Sequence, residues 1–297
     1  MNRTVYAALI LITTLLSGLA FPIGRIGLDY TSPFLLMGAR FAIAGAVMAL
    51  FTARRRQPQG FRQWGRLVLI GVCNSAGVMG CAYYSMHWIT SGESAILTFV
   101  NPLLVIVLST IFTGARYKGR QWAGVIVGLL GVAVTFGTHF HVQPGTFIGL
   151  LGALFFATSS LLIKSWGPGF DNYVMTAYQM IFGALALFLL SALTEHPHLT
   201  INGTTVGVLL WLVFMNSIVQ FSVWFYLLQN SDPARTSAFL FLAPFFGVIG
   251  GWALLGERLH WYAGAGGSAH LRRHFSGQLA IGSPPGSGGR AAKVAGV

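Results

Sequence analysis

Nine apolar tracts, each close to the length of a bilayer crossing, decide what this chain can fold into. They run approximately 4–24, 33–52, 65–87, 93–113, 120–137, 146–165, 172–193, 204–228 and 236–256. A helix crossing a hydrocarbon core of about 30 Å needs about 20 mostly apolar residues. In lipid the backbone must satisfy its own hydrogen bonds, which leaves only helices or closed barrels. The tracts are continuous runs of Leu, Ile, Val, Phe and Ala rather than short alternating segments, so an all-α membrane bundle is expected and a barrel is not. Composition agrees: only 8% of residues are charged and 55% are hydrophobic, against about a quarter charged in a soluble domain. Mean hydropathy is +0.69.

The chain also repeats itself. The stretch NPLLVIVLSTIFTGARYKG at 101–119 returns 142 residues later as APFFGVIGGWALLGERLHW at 243–261, with Pro102 on Pro244, Gly114 on Gly256 and Arg116 on Arg258. The same register sets Asn74 on Asn216, Tyr84 on Tyr226 and Gly124 on Gly266, without a gap. A duplication explains this better than chance.

Charge tells how the two copies are oriented. With the amino terminus in the cytoplasm, the inner segments hold Arg3, Arg54, Arg55, Arg56, Arg62, Arg66, Arg116, Lys118, Arg120, Lys164 and Arg235, and the outer ones only Arg25 and Arg258. Eleven against two is a positive-inside bias. The arginine-rich loop at 53–66 corresponds to 194–208, which has no Lys or Arg, only Glu195, His196 and His198. An odd number of spans per copy, five, produces this reversal, whereas two parallel copies predict similar charge in both. Inverted repeats of this kind are a recurrent plan of secondary transporters, with the solute site near the midplane where the copies meet. The net charge of +12 does not indicate a nucleic-acid partner, because the arginines are spread over short loops facing anionic lipid. A cleavable signal peptide at the amino terminus is disfavoured by the length of its apolar run and by the spans that follow. Cys73 and Cys81 fall in one span and imply no disulfide framework.

Several motifs resemble the EamA family of the drug/metabolite transporter superfamily: GLAFPIGRIGL at 18–28, Pro33 and Arg40 in the second span, WFYLLQNSDPARTSAFLFLAP at 224–244 and LLGERL at 254–259. The likeness covers residues 4 to about 266. It implies two inverted repeats of about five helices, a ten-helix plan, and export of small metabolites, often amino acids or their derivatives, across the bacterial cytoplasmic membrane. The expected division is 1–140 for the first repeat, 145–266 for the second and 267–297 for a tail. The chain departs from the family pattern at Ser17, where a Trp is usual, and at Ala115, where a Glu is usual. A tenth apolar span is also missing: after Tyr262 come glycines, prolines and the Arg272–Arg273 pair, which cannot cross a bilayer unaided. The segment 267–297 is expected to be an aberrant or disordered tail.

Polar groups inside the spans nominate a site. Asn74 and Asn216 sit near the middles of their spans at matching positions, and Gln220 and Trp224 follow Asn216 at helical spacing. Thr98 and Asn101 form a second stripe, with Ser94, leading to Pro102, which removes a helical hydrogen bond. These faces are expected to line a central cavity, with Tyr83, Tyr84, Trp224 and Tyr226 packing against a small polar solute. The alternative is that the amides tie helices together, each contributing about 1 kcal/mol. Arg40, about two turns into the second span, either receives a solute carboxylate in a two-pronged way or else bonds helix-end carbonyls or snorkels outward.

The six acids, Asp29, Glu93, Asp171, Glu195, Asp232 and Glu257, map to span ends or loops. An intramembrane carboxylate or His relay is the usual proton carrier, and only His87 remains as a candidate, so facilitated diffusion or exchange is expected. Glu257 and Arg258 are expected to fix the outer end of the ninth span. SGES at 91–94 near His87 has no accompanying Asp or oxyanion motif, and no metal or cofactor motif is present, so an enzyme is not expected. A passive channel or assembly factor is the remaining alternative to transport. Cysteines introduced singly at Arg55 and His198 should react with an impermeant thiol reagent from opposite sides of the membrane; labelling from one side only would reject the inverted duplication.

Overall fold

The structure is a computed structural model, and it describes residues 3–113, 143–230 and 242–257. The expected fifth span at 120–137, the Tyr226 side chain, Asp232 and the tail at 267–297 lie outside the described residues.

Every expected span that is described is helical. In chain order they are α1 (Arg3–Gly27), α2 (Pro33–Thr52), α3 (Gly60–Ser85), α4 (Ser91–Thr98), α5 (Asn101–Thr113), α6 (Pro144–Trp166), α7 (Asn172–Thr194), α8 (Gly203–Asn230) and α9 (Leu242–Leu255). Six of these are long and apolar enough to cross a membrane. Their outward faces carry large apolar side chains such as Leu50, Phe51, Phe61 and Leu193, an arrangement that water would penalise and lipid does not.

The sequence pattern suggested one continuous fourth span at 93–113, but the structure breaks it into α4 and α5 at Phe99–Val100. Pro102 stands in the first turn of α5 and has no N–H to offer the carbonyl four residues back, so the ladder is interrupted there. The α4 amino terminus is capped twice over. Thr90 and Glu93 form a capping box, and Glu257 accepts from the Ser91 and Gly92 N–H groups at 2.7 and 3.2 Å. Glu257 therefore holds the end of the ninth span against the start of the fourth.

Among the described residues the most extensive packing is between α2 and α7, which occupy the same place in the two copies. They run antiparallel. The Phe34 N–H at the start of α2 donates to Glu195 at the end of α7, 3.1 Å away, and a carboxylate there also suits the positive end of the helix dipole. Nearby, Ser32 N–H donates to the His198 carbonyl at 3.3 Å and Thr200 N–H to the Tyr30 carbonyl at 2.8 Å. At the opposite end, Arg55 pairs with Asp171 at 3.0 Å and the Tyr178 hydroxyl donates to Gln57 at 3.0 Å. The two loops compared in the sequence, after α2 and after α7, thus sit at opposite ends of this helix pair. Small residues let the helices approach closely: a methyl on Gly71 would lie 2.6 Å from the Gln179 carbonyl, and one on Gly247 2.9 Å from Ala95. The resulting core includes Phe21, Met37, Phe41, Met180 and Leu187.

Asp171 caps α7 by accepting from the N–H groups of Tyr173 and Val174 at 2.9 and 3.2 Å. Burial pushes its carboxyl pKa up, but the hydrogen bonds from Val174, Arg55 and Tyr173 and the Arg55 charge outweigh burial and hold it below the usual carboxylate range. A lowered folded-state pKa stabilises the fold above the unfolded value and loses that contribution as pH falls through the folded one. Thermal unfolding in detergent should show wild type losing stability below about pH 4 more steeply than Asp171→Asn, which keeps the cap without the titration; parallel pH profiles would refute this.

Candidate solute-binding site

The helical repeat of α3 and α8 loosens at matching places. Val72–Gly80 in α3 and Leu212–Val219 in α8 are π-helical, a form that recurs at functional positions in long helices. Asn74 lies in the first and Asn216 in the second, related by the 142-residue register.

Each asparagine reaches into the other copy. Asn74 Nδ2 donates to Gln179 Oε1 of α7 at 3.2 Å, and its Oδ1 accepts from Ser159 Oγ of α6 at 3.1 Å. Asn216 Nδ2 donates to the Leu16 carbonyl of α1 at 3.0 Å, and its Oδ1 accepts from Arg40 Nη2 of α2. So α3 is tied to α6 and α7, and α8 to their counterparts α1 and α2. Lipid offers no competing partners, which is why such interhelical amide bonds hold bundles together.

Arg40 does not snorkel and does not meet helix-end carbonyls; it is only 1% exposed. Two turns of helix place it too deep for either. Its Nε donates to Ser217 Oγ at 3.0 Å, its Nη1 faces Met37 Sδ at 3.7 Å, and its Cζ lies 4.8 Å from the centre of the Phe41 ring. The Tyr83 phenol is its electrostatic neighbour, fixed by donation to the Ala20 carbonyl at 2.6 Å.

The remaining nominated residues are divided. Thr98 is buried and its hydroxyl returns to the Ser94 carbonyl at 2.8 Å. Asn101 and Gln220 are each 9% exposed, Trp224 is half-buried, and none of their side chains makes a hydrogen bond within the described residues. Tyr84 points elsewhere: one residue along a helix is a turn of about 100°, which separates it from Tyr83. It stacks on Phe34 at 4.9 Å and meets His87 and Trp88 edge-on, at the end of the bundle where α2 begins. His87 is exposed there. Gln179, Ser159 and Ser217 were not nominated, although Gln179 is an amide inside an apolar tract and satisfies the criterion that found Asn74.

The two copies are each matched by one known family. The EamA-like transporter family matches residues 4–137 and again residues 143–269. This chain belongs to that family. It is a multi-pass membrane protein of a transporter family and not of an enzyme family. Among its relatives, an uncharacterized transporter of Bacillus subtilis, YoaV, is 24% identical over 84% of this chain and 88% of its own length. A probable amino-acid metabolite efflux pump of Escherichia coli is 24% identical over 84% and 87%. An uncharacterized inner membrane transporter of the same organism, YedA, is 24% identical over 79% and 78%. One solved crystal structure superposes with a TM-score of 0.59 at 19% identity, covering 84% of this EamA protein and 87% of that chain, a likeness of fold.

Removing either asparagine should cost unequally. Asn74→Ala leaves neutral partners and should destabilise by about 1 kcal/mol. Asn216→Ala leaves a buried guanidinium short of an acceptor and should cost roughly 3 kcal/mol. Thermal melting of the two variants in detergent checks this, and equal losses would refute it.

Proposed function

We propose that this EamA protein is a secondary transporter that exports small polar metabolites, amino acids or their derivatives, by alternating access. Its copies are taken as residues 1–140 and 145–266, and it sits in the bacterial cytoplasmic membrane with its amino terminus inside. One observation carries the reading: equivalent helices of the two copies run antiparallel, and each copy's midspan asparagine bonds to the other copy. Two inverted halves that share a midplane seam can rock about it and open to each side in turn.

In this reading Asn101, Gln220 and Trp224 meet the solute, because their polar groups are left free of the ties that occupy Asn74 and Asn216. Thr98 and Tyr83 belong to the same path, Tyr84 stands at its end beside Phe34, and Arg40 and Tyr226 complete the proposed set. The name of the Escherichia coli efflux relative supports an amino-acid-like cargo. The basic loops after α2 and at the end of α6, with Arg54, Arg55, Arg56 and Lys164, support a cytoplasmic location for those ends.

The five described acids all lie at helix ends or turns: Asp29, Glu93, Asp171, Glu195 and Glu257. With no carboxylate inside a described span to carry protons, the protein should move its solute by facilitated diffusion or exchange. Proteoliposomes loaded with radiolabelled amino acids should release at least one of them equally with and without a pH gradient. Gradient-dependent accumulation would refute the uncoupled mechanism, and release of none would refute amino-acid export.

A further inference from the structure

The two inverted copies contain their own control experiment on Arg40. In both, the π-segment asparagine of the third helix is tied to the second helix of the other copy. On one side the tie is neutral, Asn74 to Gln179. On the other it is cationic, Asn216 to Arg40. The register that relates the copies places Phe182 at the position of Arg40 and Met37 at that of Gln179. A neutral amide pair is therefore enough to make the tie, and the charge on Arg40 is surplus to it.

Among the described residues no carboxylate compensates that charge. Arg40 is 1% exposed, yet its partners are an amide oxygen, a hydroxyl, a thioether and the Tyr83 phenol. Each of the five described acids lies at a helix end or turn, and none bonds to Arg40. A cation in the membrane interior costs several kcal/mol unless paired or hydrated, and a guanidinium has five N–H donors in a planar fork that fits a carboxylate. The bond to the Met37 sulfur at 3.7 Å is the weakest of its contacts and the easiest to exchange.

We propose that Arg40 is the carboxylate receptor of the transported solute, and that the solute takes it from Asn216. The inference rests on the transporter reading. Because Arg40 is buried between α2 and α8 in this state, a carboxylate reaches it only as those helices part, and a charge-assisted, two-pronged bond replaces a single bond to a neutral amide. Asn216 is then released from α2 while its bond to the Leu16 carbonyl of α1 remains. Binding of an anionic group is thereby coupled to separation of α8 from α2. The cargo class that follows is one with a free carboxylate, and amides of the same compounds are excluded.

The test uses the purified full chain in detergent and measures the shift in thermal unfolding caused by each proteinogenic L-amino acid and by its carboxamide counterpart. At least one acid should stabilise saturably, with its amide at least about tenfold weaker, the worth of a charge-assisted bond. Arg40→Gln, which substitutes the amide found on the other side, should melt as wild type does without solute and lose the preference for acid over amide. Equal binding of acid and amide, a preference retained in Arg40→Gln, or no stabilisation by any acid would overturn the proposal. Should Arg40→Gln not fold, Arg40→Lys carries the test: a preference reduced or lost supports the proposal, and an unchanged one overturns it. Flux of labelled amino acids through proteoliposomes, measured in parallel, separates the two readings. Acid-selective binding without movement rejects transport alone, and movement with a preference indifferent to Arg40 rejects this inference alone.

Discussion

Close antiparallel packing of α2 on α7 is the constraint from which the rest of the described structure follows. Once two equivalent helices lie head to tail, their connecting loops must emerge at opposite ends, which is where Glu195 with His198 and Arg55 with Asp171 are found. The same relation brings each π-helical segment against the other copy, so that Asn74 meets α6 and α7 while Asn216 meets α1 and α2. Small residues at the seam, Gly71 and Gly183 among them, allow backbone and side chain to approach within contact distance, where dispersion replaces the hydrophobic drive that lipid does not supply.

The copies share architecture and differ in chemistry. Arg40 faces Phe182 across the register, and Met37 faces Gln179. At the helix ends, Glu257 caps the N–H groups of Ser91 and Gly92, while its register mate is Ala115 and that of Ser91 is Pro233. Proline has no N–H to donate, so where the first copy lacks the carboxylate, at Ala115, the second copy lacks one of the donors it would have served, at Pro233. A duplicated fold tolerates this divergence because each tie needs only complementary partners, not the same ones.

Much of the candidate site could be read in advance because lipid makes polar residues conspicuous. Asn74, Asn216 and Arg40 stand out in apolar tracts, and all three are engaged between the copies. Their partners were harder to foresee. Gln179 and Ser159 are 105 and 85 residues from Asn74, and only the inverted packing brings them within bonding distance. Tyr83 and Tyr84 looked equivalent as neighbours, yet helical geometry sends one to the Ala20 carbonyl and the other to the Phe34 stack. The π-helical stretches had no sequence signature, since widening a turn changes side-chain direction without altering the apolar count.

The amino-acid sequence by itself determined the membrane setting, the helical class, the duplication and its inversion, because each rests on counts and periods along the chain: apolar length, register and the placement of arginine. Only the tertiary structure decided what the midspan polar groups do. Which helices an amide ties, and whether Arg40 reaches outward or stays buried against Asn216 and Ser217, depends on distances between helices remote in the chain. No pattern along one strand of sequence contains those distances.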